Sequence, residues 1–139
     1  MIKFREIIKS DRLQMISLLS QLTTTPDISE DDFNNFIKNK SINLKIYVIL
    51  DNDKIVGCGS LLIEPKIIHG MQKVGHIEDI VIDKKYRNKG YGQNIIKFLS
   101  WTATQNDCYK VILDCSLENK EFYKKCGFID KGISMAKYF

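Results

Sequence analysis

"HIEDIVIDKKYRNKGYGQNIIKFLSW" (residues 76–101) passes from an apolar stretch, through a turn spaced R-x-x-G-x-G, into a segment with helical spacing. The run "HIEDIVID" reads as a strand. From Gly90 onward, Tyr91, Ile95, Phe98, Leu99 and Thr102 recur as one face of a helix. "CYKVILDC" (108–115) then reads as another strand. Strand, helix and strand within roughly thirty residues form a βαβ unit, with parallel strands and a right-handed crossover.

Working outward, "LKIYVIL" and "KIVGCGSLLIE" flank the turn signal "DNDK" and predict an antiparallel hairpin. "IKFREI" predicts a first strand. "SDRLQMISLLSQL" opens with a Ser/Asp cap and carries Met15, Leu18, Leu19 and Leu22 at helical spacing. In "ISEDDFNNFIK", Ser29 can cap a second helix whose apolar face is Phe33, Phe36 and Ile37. Past the βαβ unit, a short helix around "NKEFYKKCG" stops at Gly127, and two brief strands, near Phe128 and from Ile133 to Tyr138, close the chain. The expected fold class is α/β (α+β): a mixed sheet with antiparallel strands first and a parallel pair at its centre, flanked by helices.

The 139 residues and 16.1 kDa fit one domain, 1–139, with a real core. A hydrophobic share of 44% and a charged share of 27% exclude a disordered or fibrous chain. Stretches such as "IYVIL" fall far short of the roughly 20 residues that cross a bilayer. The start "MIKFREIIKSDR" lacks a signal-peptide core, so a cytoplasmic protein away from membranes is expected. The net charge of +4 suits an acidic small-molecule ligand, while scattered lysines form no basic arm for nucleic acid. Cys58, Cys108, Cys115 and Cys126 show no C-x-x-C pair and no finger pattern with His69 and His76. Reduced, mostly buried thiols and no metal are expected.

Gly90 and Gly92 fall at a helix start, where unsatisfied N–H groups and the macrodipole favour an anion, and Arg87 and Lys89 add charge. Pyrophosphate binding is the chemistry suggested, though a glycine-rich turn with solvated charges has the same spacing. It is neither a Walker loop nor a dinucleotide fingerprint, because no G-K-[ST] follows and one glycine is missing. Glu78 and Asp79 interrupt an otherwise buried-looking strand, and alternation would send them to opposite faces. There a carboxylate is either paired in a salt bridge or used. Asp114 ends "KVIL" at the carboxyl end of the parallel strand, where open α/β sheets bind ligands, and the position also suits a cap.

"GHIEDI", R-x-x-G-x-G, "CYKVILDC" and "FYKKCGF", with "QLT" near the start and "IIHG" before the central strand, resemble the GCN5-related N-acetyltransferase (GNAT) superfamily. Within it, the chain looks like the glucosamine 6-phosphate N-acetyltransferase group. The resemblance implies a GNAT fold with a splayed parallel strand pair and acetyl-coenzyme A (acetyl-CoA) as cosubstrate. By it, the turn of Arg87, Asn88, Lys89, Gly90, Tyr91 and Gly92 cradles pyrophosphate. The backbone of Ile80, Val81 and Ile82 bonds the pantetheine arm. Asn119 and Tyr123 add cofactor contacts, where Asn119 otherwise reads as an N-cap and Tyr123 as aromatic packing beside Phe122 and Phe128.

The resemblance further implies direct transfer in a ternary complex. Glu78 takes up the amine proton, Asp114 orients the amine, a backbone N–H around Ile80 polarises the thioester carbonyl, and Tyr123 protonates the leaving thiolate. Cys115 and Cys126 need not act as nucleophiles. Sugar phosphate recognition would use Thr23, the stretch Lys66, Ile67, Ile68 and His69, then Glu78, Asp79 and Asp114; His69 reads equally as a surface loop residue. A homodimer is implied, in which a partner's basic residue near the C-terminus meets the phosphate. Here Tyr138 stands at that place, beside Lys137, which is the candidate contact. The product would be N-acetylglucosamine 6-phosphate, a step toward UDP-N-acetylglucosamine. Alternatives are a GNAT enzyme for another amine (polyamine, aminoglycoside or protein) or a non-catalytic acyl-CoA sensor.

Overall fold

Five strands hydrogen-bond into one sheet in the order β1-β2-β3-β4-β5, and the computed structural model describes residues 1–139. β1 (Ile2–Glu6), β2 (Leu44–Asp51), β3 (Lys54–Pro65) and β4 (Lys73–Ile82) are successively antiparallel. β5 (Cys108–Ile112) runs parallel to β4. Asn52 and Asp53 turn the β2–β3 hairpin at φ 48° and 65°, a conformation that these two residue types tolerate best after glycine.

Helices α1 (Arg12–Leu19) and α2 (Glu30–Asn39) cover one face of the sheet, where Met15, Leu18 and Phe33 meet Val48, Cys58 and Val81. The other face carries α3 (Tyr91–Gln105), with Ile95 and Leu99 fully buried against Leu61 and Ile77. Burial of each such side chain stabilises the fold by about 1.5–3 kcal/mol. α4 (Lys120–Lys125) follows β5. Ser29 caps α2 as its sequence predicts, its hydroxyl accepting from Asp32 N at 3.1 Å. Asp11 does not cap α1. Its buried carboxylate accepts from Ile8 N and, at 2.7 and 3.0 Å, from the Arg5 guanidinium, tying the chain into the helix. α1 ends at Leu19, so Leu22 lies beyond it and is exposed rather than in the core.

Three further expectations are corrected. Residues 128–139 form no strand: after Phe128 N donates to Tyr123 O, no backbone hydrogen bond follows, and Ile133, Met135 and Tyr138 are at least 90% exposed. A strand needs a partner, and residues 129–139 make no backbone hydrogen bond with the free edge of β5 or with any other element. The parallel pair therefore stands at one side of the sheet, with β5 as an open edge. Of the four thiols only Cys58 is buried; Cys115 is exposed.

Strict alternation also fails at Glu78 and Asp79. Asp79 takes φ +52°, and the β3–β4 register shifts between Cys58 and Ser60. This bulge adds a residue to β4 and changes which side chains face which layer. Before it, Ile77 packs toward α3; after it, Ile80 and Ile82 pack on that side while Val81 joins the α1–α2 core. Both carboxylates are exposed, so no burial cost demands a partner.

Candidate active site

β4 and β5 pair from Lys73↔Cys108 only as far as His76↔Ile112. Beyond that the strands separate, and a groove of about 670 Å³ opens between Ile80, Val81 and Ile82 on one side and Asn119, Phe122 and Tyr123 on the other. Its far end is the turn from Tyr86 to Gly92, where the backbone N–H groups from Arg87 to Gln93 donate to no acceptor in the chain. A run of free N–H donors at a helix start is the chemistry that receives an anion, so the turn fits the pyrophosphate of acetyl-CoA.

The turn is held from behind. Asp83 caps it through Lys85 N at 2.9 Å, and Arg87 folds back so that Nε donates to Ile82 O at 3.0 Å. Lys54 and Lys89 stand 5.3 and 5.2 Å from the centre of the Tyr86 ring. Burial and its hydrogen bond to Asp51, at 3.1 Å, push the Tyr91 phenol up. Gly90 needs its missing side chain because its φ is +86°. Gly92 is also constrained by packing: a Cβ there would sit 3.0 Å from Phe122 Cζ.

Tyr123 borders this groove and also a second cavity of about 360 Å³, which it shares with Asp114, Cys115 and Lys124. Burial, then the neighbouring Cys115 and Cys126 thiols, raise its phenol above the ordinary value, so it keeps its proton at neutral pH. Phe122 and Phe128 meet the ring edge-on at 5.0 and 5.9 Å. Asp114 lies just past β5, exposed, and makes no hydrogen bond or ion pair within the chain; it is not a cap. Glu78 and Asp79 likewise form no salt bridge. Asn119 occupies the N-cap position of α4 with no capping hydrogen bond, which leaves its amide free toward the groove.

The predicted sugar-phosphate residues are dispersed. Lys66 pairs with Glu64 at 3.0 Å; Glu64 also meets His76 Nε2 at 2.9 Å, and these contacts, His76 first, hold its carboxyl below the usual range. Ile67 and Ile68 are exposed, and His69 packs on Tyr109 with ring centres 4.4 Å apart. That loop adjoins the Lys73 end of β4, whereas the anion turn adjoins the Ile82 end. Thr23 is exposed beyond α1, and Lys137 lies in the exposed tail. None of Thr23, Lys66, His69, Glu78, Asp79 or Lys137 lines the two cavities that contain Asp114.

The sequence profile of the Acetyltransferase (GNAT) family matches residues 12–128. The chain belongs to the GNAT acetyltransferase family. It is 41% identical to a glucosamine 6-phosphate N-acetyltransferase of Arabidopsis thaliana over 99% of this chain and 96% of that protein. A protein of the same name from Candida albicans is 42% identical over 91% of this chain and 87% of its own length. The crystal structure of the Arabidopsis thaliana enzyme superposes with a TM-score of 0.93 at 40% identity, covering 100% of this chain and 99% of that one.

In this GNAT enzyme, four residues around the site escaped the reading of the sequence. Gln21 and Leu22 border the groove opposite α4, Phe122 fills the space left by Gly92, and Tyr109 supports His69. The "QLT" stretch was the one available signal for the first two. Nothing in residue spacing ties Phe122 to Gly92, because that contact depends on α4 returning to the start of α3 after β5. No helix of the GNAT chain is long and apolar enough to cross a membrane.

Proposed function

We propose that the chain transfers the acetyl group of acetyl-CoA to the amine of glucosamine 6-phosphate, forming N-acetylglucosamine 6-phosphate within a ternary complex. The observation that carries the reading is the placement of Tyr123, which borders both the groove ending in free N–H donors and the cavity holding an unpaired Asp114. The printed names of relatives at 41% and 42% identity support the sugar phosphate as acceptor.

In this reading the backbone from Arg87 to Gly92 receives the pyrophosphate, and the unpaired edge of β4 at Ile80, Val81 and Ile82 takes the pantetheine arm, with Asn119 across the groove. A sugar amine is a weak base, so a modest acceptor of its proton suffices, and Glu78 serves. Asp114 orients the amine. The N–H of Ile80, next to the bulge, steadies negative charge on the thioester oxygen. Tyr123 returns a proton to the departing thiolate, and its raised pKa keeps that proton in place beforehand.

The acceptor site is completed in a homodimer. An open β5 edge and an extended, apolar tail in one chain suit pairing with a second copy, which would bring Lys137 to the phosphate alongside Thr23, Lys66, His69 and Asp79. Free thiols and the absence of a membrane-crossing helix suit a cytoplasmic enzyme that feeds UDP-N-acetylglucosamine formation.

The test follows free thiol released from acetyl-CoA in the presence of glucosamine 6-phosphate, glucosamine, spermidine or a lysine peptide. Release with the sugar phosphate alone is expected. Release only with spermidine or peptide overturns the substrate, and acetyl-CoA binding without release under any condition overturns the enzyme.

A further inference from the structure

One side chain from the first helical segment reaches the anion turn. Gln21 Oε1 accepts the backbone N–H of Lys84 at 2.9 Å, across 63 residues of sequence. Lys84 begins the short 3-10 turn Lys84–Tyr86 that leads into the free N–H donors. The remaining bonds of that turn are local, from Lys85 N and Tyr86 N to Asp83, itself pinned through Asp83 N to Val56 O on β3. Gln21 is thus the link from the anion turn to α1.

The other side of the link is equally defined. Gln21 N donates to Leu18 O, and Leu22 N and Thr23 N both donate to Leu19 O, at 2.9–3.1 Å. The backbone from Gln21 to Thr23 is therefore tied by turns to the last residues of α1. Leu22 stands on the groove wall facing Asn119 and Tyr123, and Thr23 follows it. One hydrogen bond thus joins the Lys84 turn to the segment whose Leu22 lines the groove and whose next residue is Thr23.

We infer that Gln21 is a positioning residue that couples cofactor binding to acceptance of the sugar. This inference rests on the acetyltransferase reading above. An anion on the free N–H groups orders the turn; Gln21 passes that order to the Leu22–Thr23 wall, and the acceptor then meets a preformed site. Linkage makes the effect reciprocal, so the acceptor tightens the cofactor by the same factor. Lys84 is exposed, so water satisfies its N–H when Gln21 is replaced. The fold then survives, and the coupling is lost.

Calorimetry on the intact protein measures the dissociation constant of coenzyme A with and without saturating glucosamine 6-phosphate, a pair that cannot react. For wild type the ratio of the two constants is expected to be about fivefold or more. Gln21→Met, similar in length but without an acceptor oxygen, should bring the ratio near one, with a melting temperature close to wild type. Gln21→Glu, which keeps an acceptor oxygen, should restore the coupling. A wild-type ratio of one, an unchanged ratio in Gln21→Met, or a Gln21→Glu variant as uncoupled as Gln21→Met overturns the inference and leaves the acetyltransferase reading intact. Failure of wild type to bind coenzyme A at all overturns both.

Discussion

At Tyr123 a single oxygen separates two outcomes. Tyr123→Phe keeps the ring that Phe122 and Phe128 pack against and removes only the proton donor. We expect kcat to fall about a hundredfold while acetyl-CoA affinity stays within about twofold of wild type, as measured by initial rates and by calorimetry. A matching loss in both would assign Tyr123 to binding. Gly92 tests packing. Gly92→Ala presses a methyl group against Phe122 at 3.0 Å, and the ring must move. Urea unfolding should show a loss of about 1–3 kcal/mol. Because Phe122 also lines the groove, the dissociation constant of acetyl-CoA should rise; an unchanged constant would detach Phe122 from the cofactor.

Among the elements, α2 depends on its cap and β3 on a neutral thiol. Ser29→Ala removes the acceptor for Asp32 N and should cost about 1 kcal/mol in urea unfolding, with an unchanged m-value. Cys58 sits in the core of β3, where burial first, then Asp79, pushes its pKa from 9.0 to about 12. A raised folded pKa means that the native state holds the proton more tightly than the unfolded chain. The contribution is complete below about pH 9 and is lost as pH climbs toward about 12. Cys58→Ala should flatten that alkaline decline relative to wild type, and parallel declines would place its cause elsewhere. These elements also mark how far the sequence could be read. The hairpin, the Ser29 cap, the βαβ unit and the glycine-rich turn follow from local signals: turn residues, a hydroxyl before an apolar face, and a change of period from two to 3.6. Asp79 departs from them because a left-handed aspartate leaves no mark in an apolar run. Leu22 misleads because its spacing extends a helix that Ser20 and Gln21 close through bonds back to Ile16 and Leu18. The dispersal of Lys66, His69 and Lys137 away from Asp114 was beyond reach of residue order, since it depends on three-dimensional separation along β4 and past β5.

For the molecule as a whole, the tail after Phe128 is the least self-sufficient part. Lys120 holds its first residues through Asp130 at 2.9 Å, and beyond that nothing in the chain covers Ile133, Met135 or Tyr138. Removing residues 132–139 should leave a folded chain that binds coenzyme A normally, since no groove residue lies in the deleted part. It should elute as a monomer in light-scattering chromatography and lose turnover with the sugar phosphate. A truncated dimer with full turnover would remove the tail from the acceptor site.

The bulge at Asp79 has a consequence for how this strand tolerates change. β4 is two half-strands spliced through one extra residue, and the splice keeps both in phase with the same layers: Ile77 before it and Ile80 and Ile82 after it face α3, while Val81 faces α1 and α2. Deleting Asp79 would join the halves in plain alternation with each of these side chains still on its own side. The two cores therefore do not need the residue. What it sets is the course of the backbone three residues past the last β4–β5 pair, His76↔Ile112, where the strands part. An exchange of Asp79 for glycine or asparagine, which accept its φ of +52°, keeps that course, whereas its loss would straighten the strand at the mouth of the groove and leave the hydrophobic layers as they are.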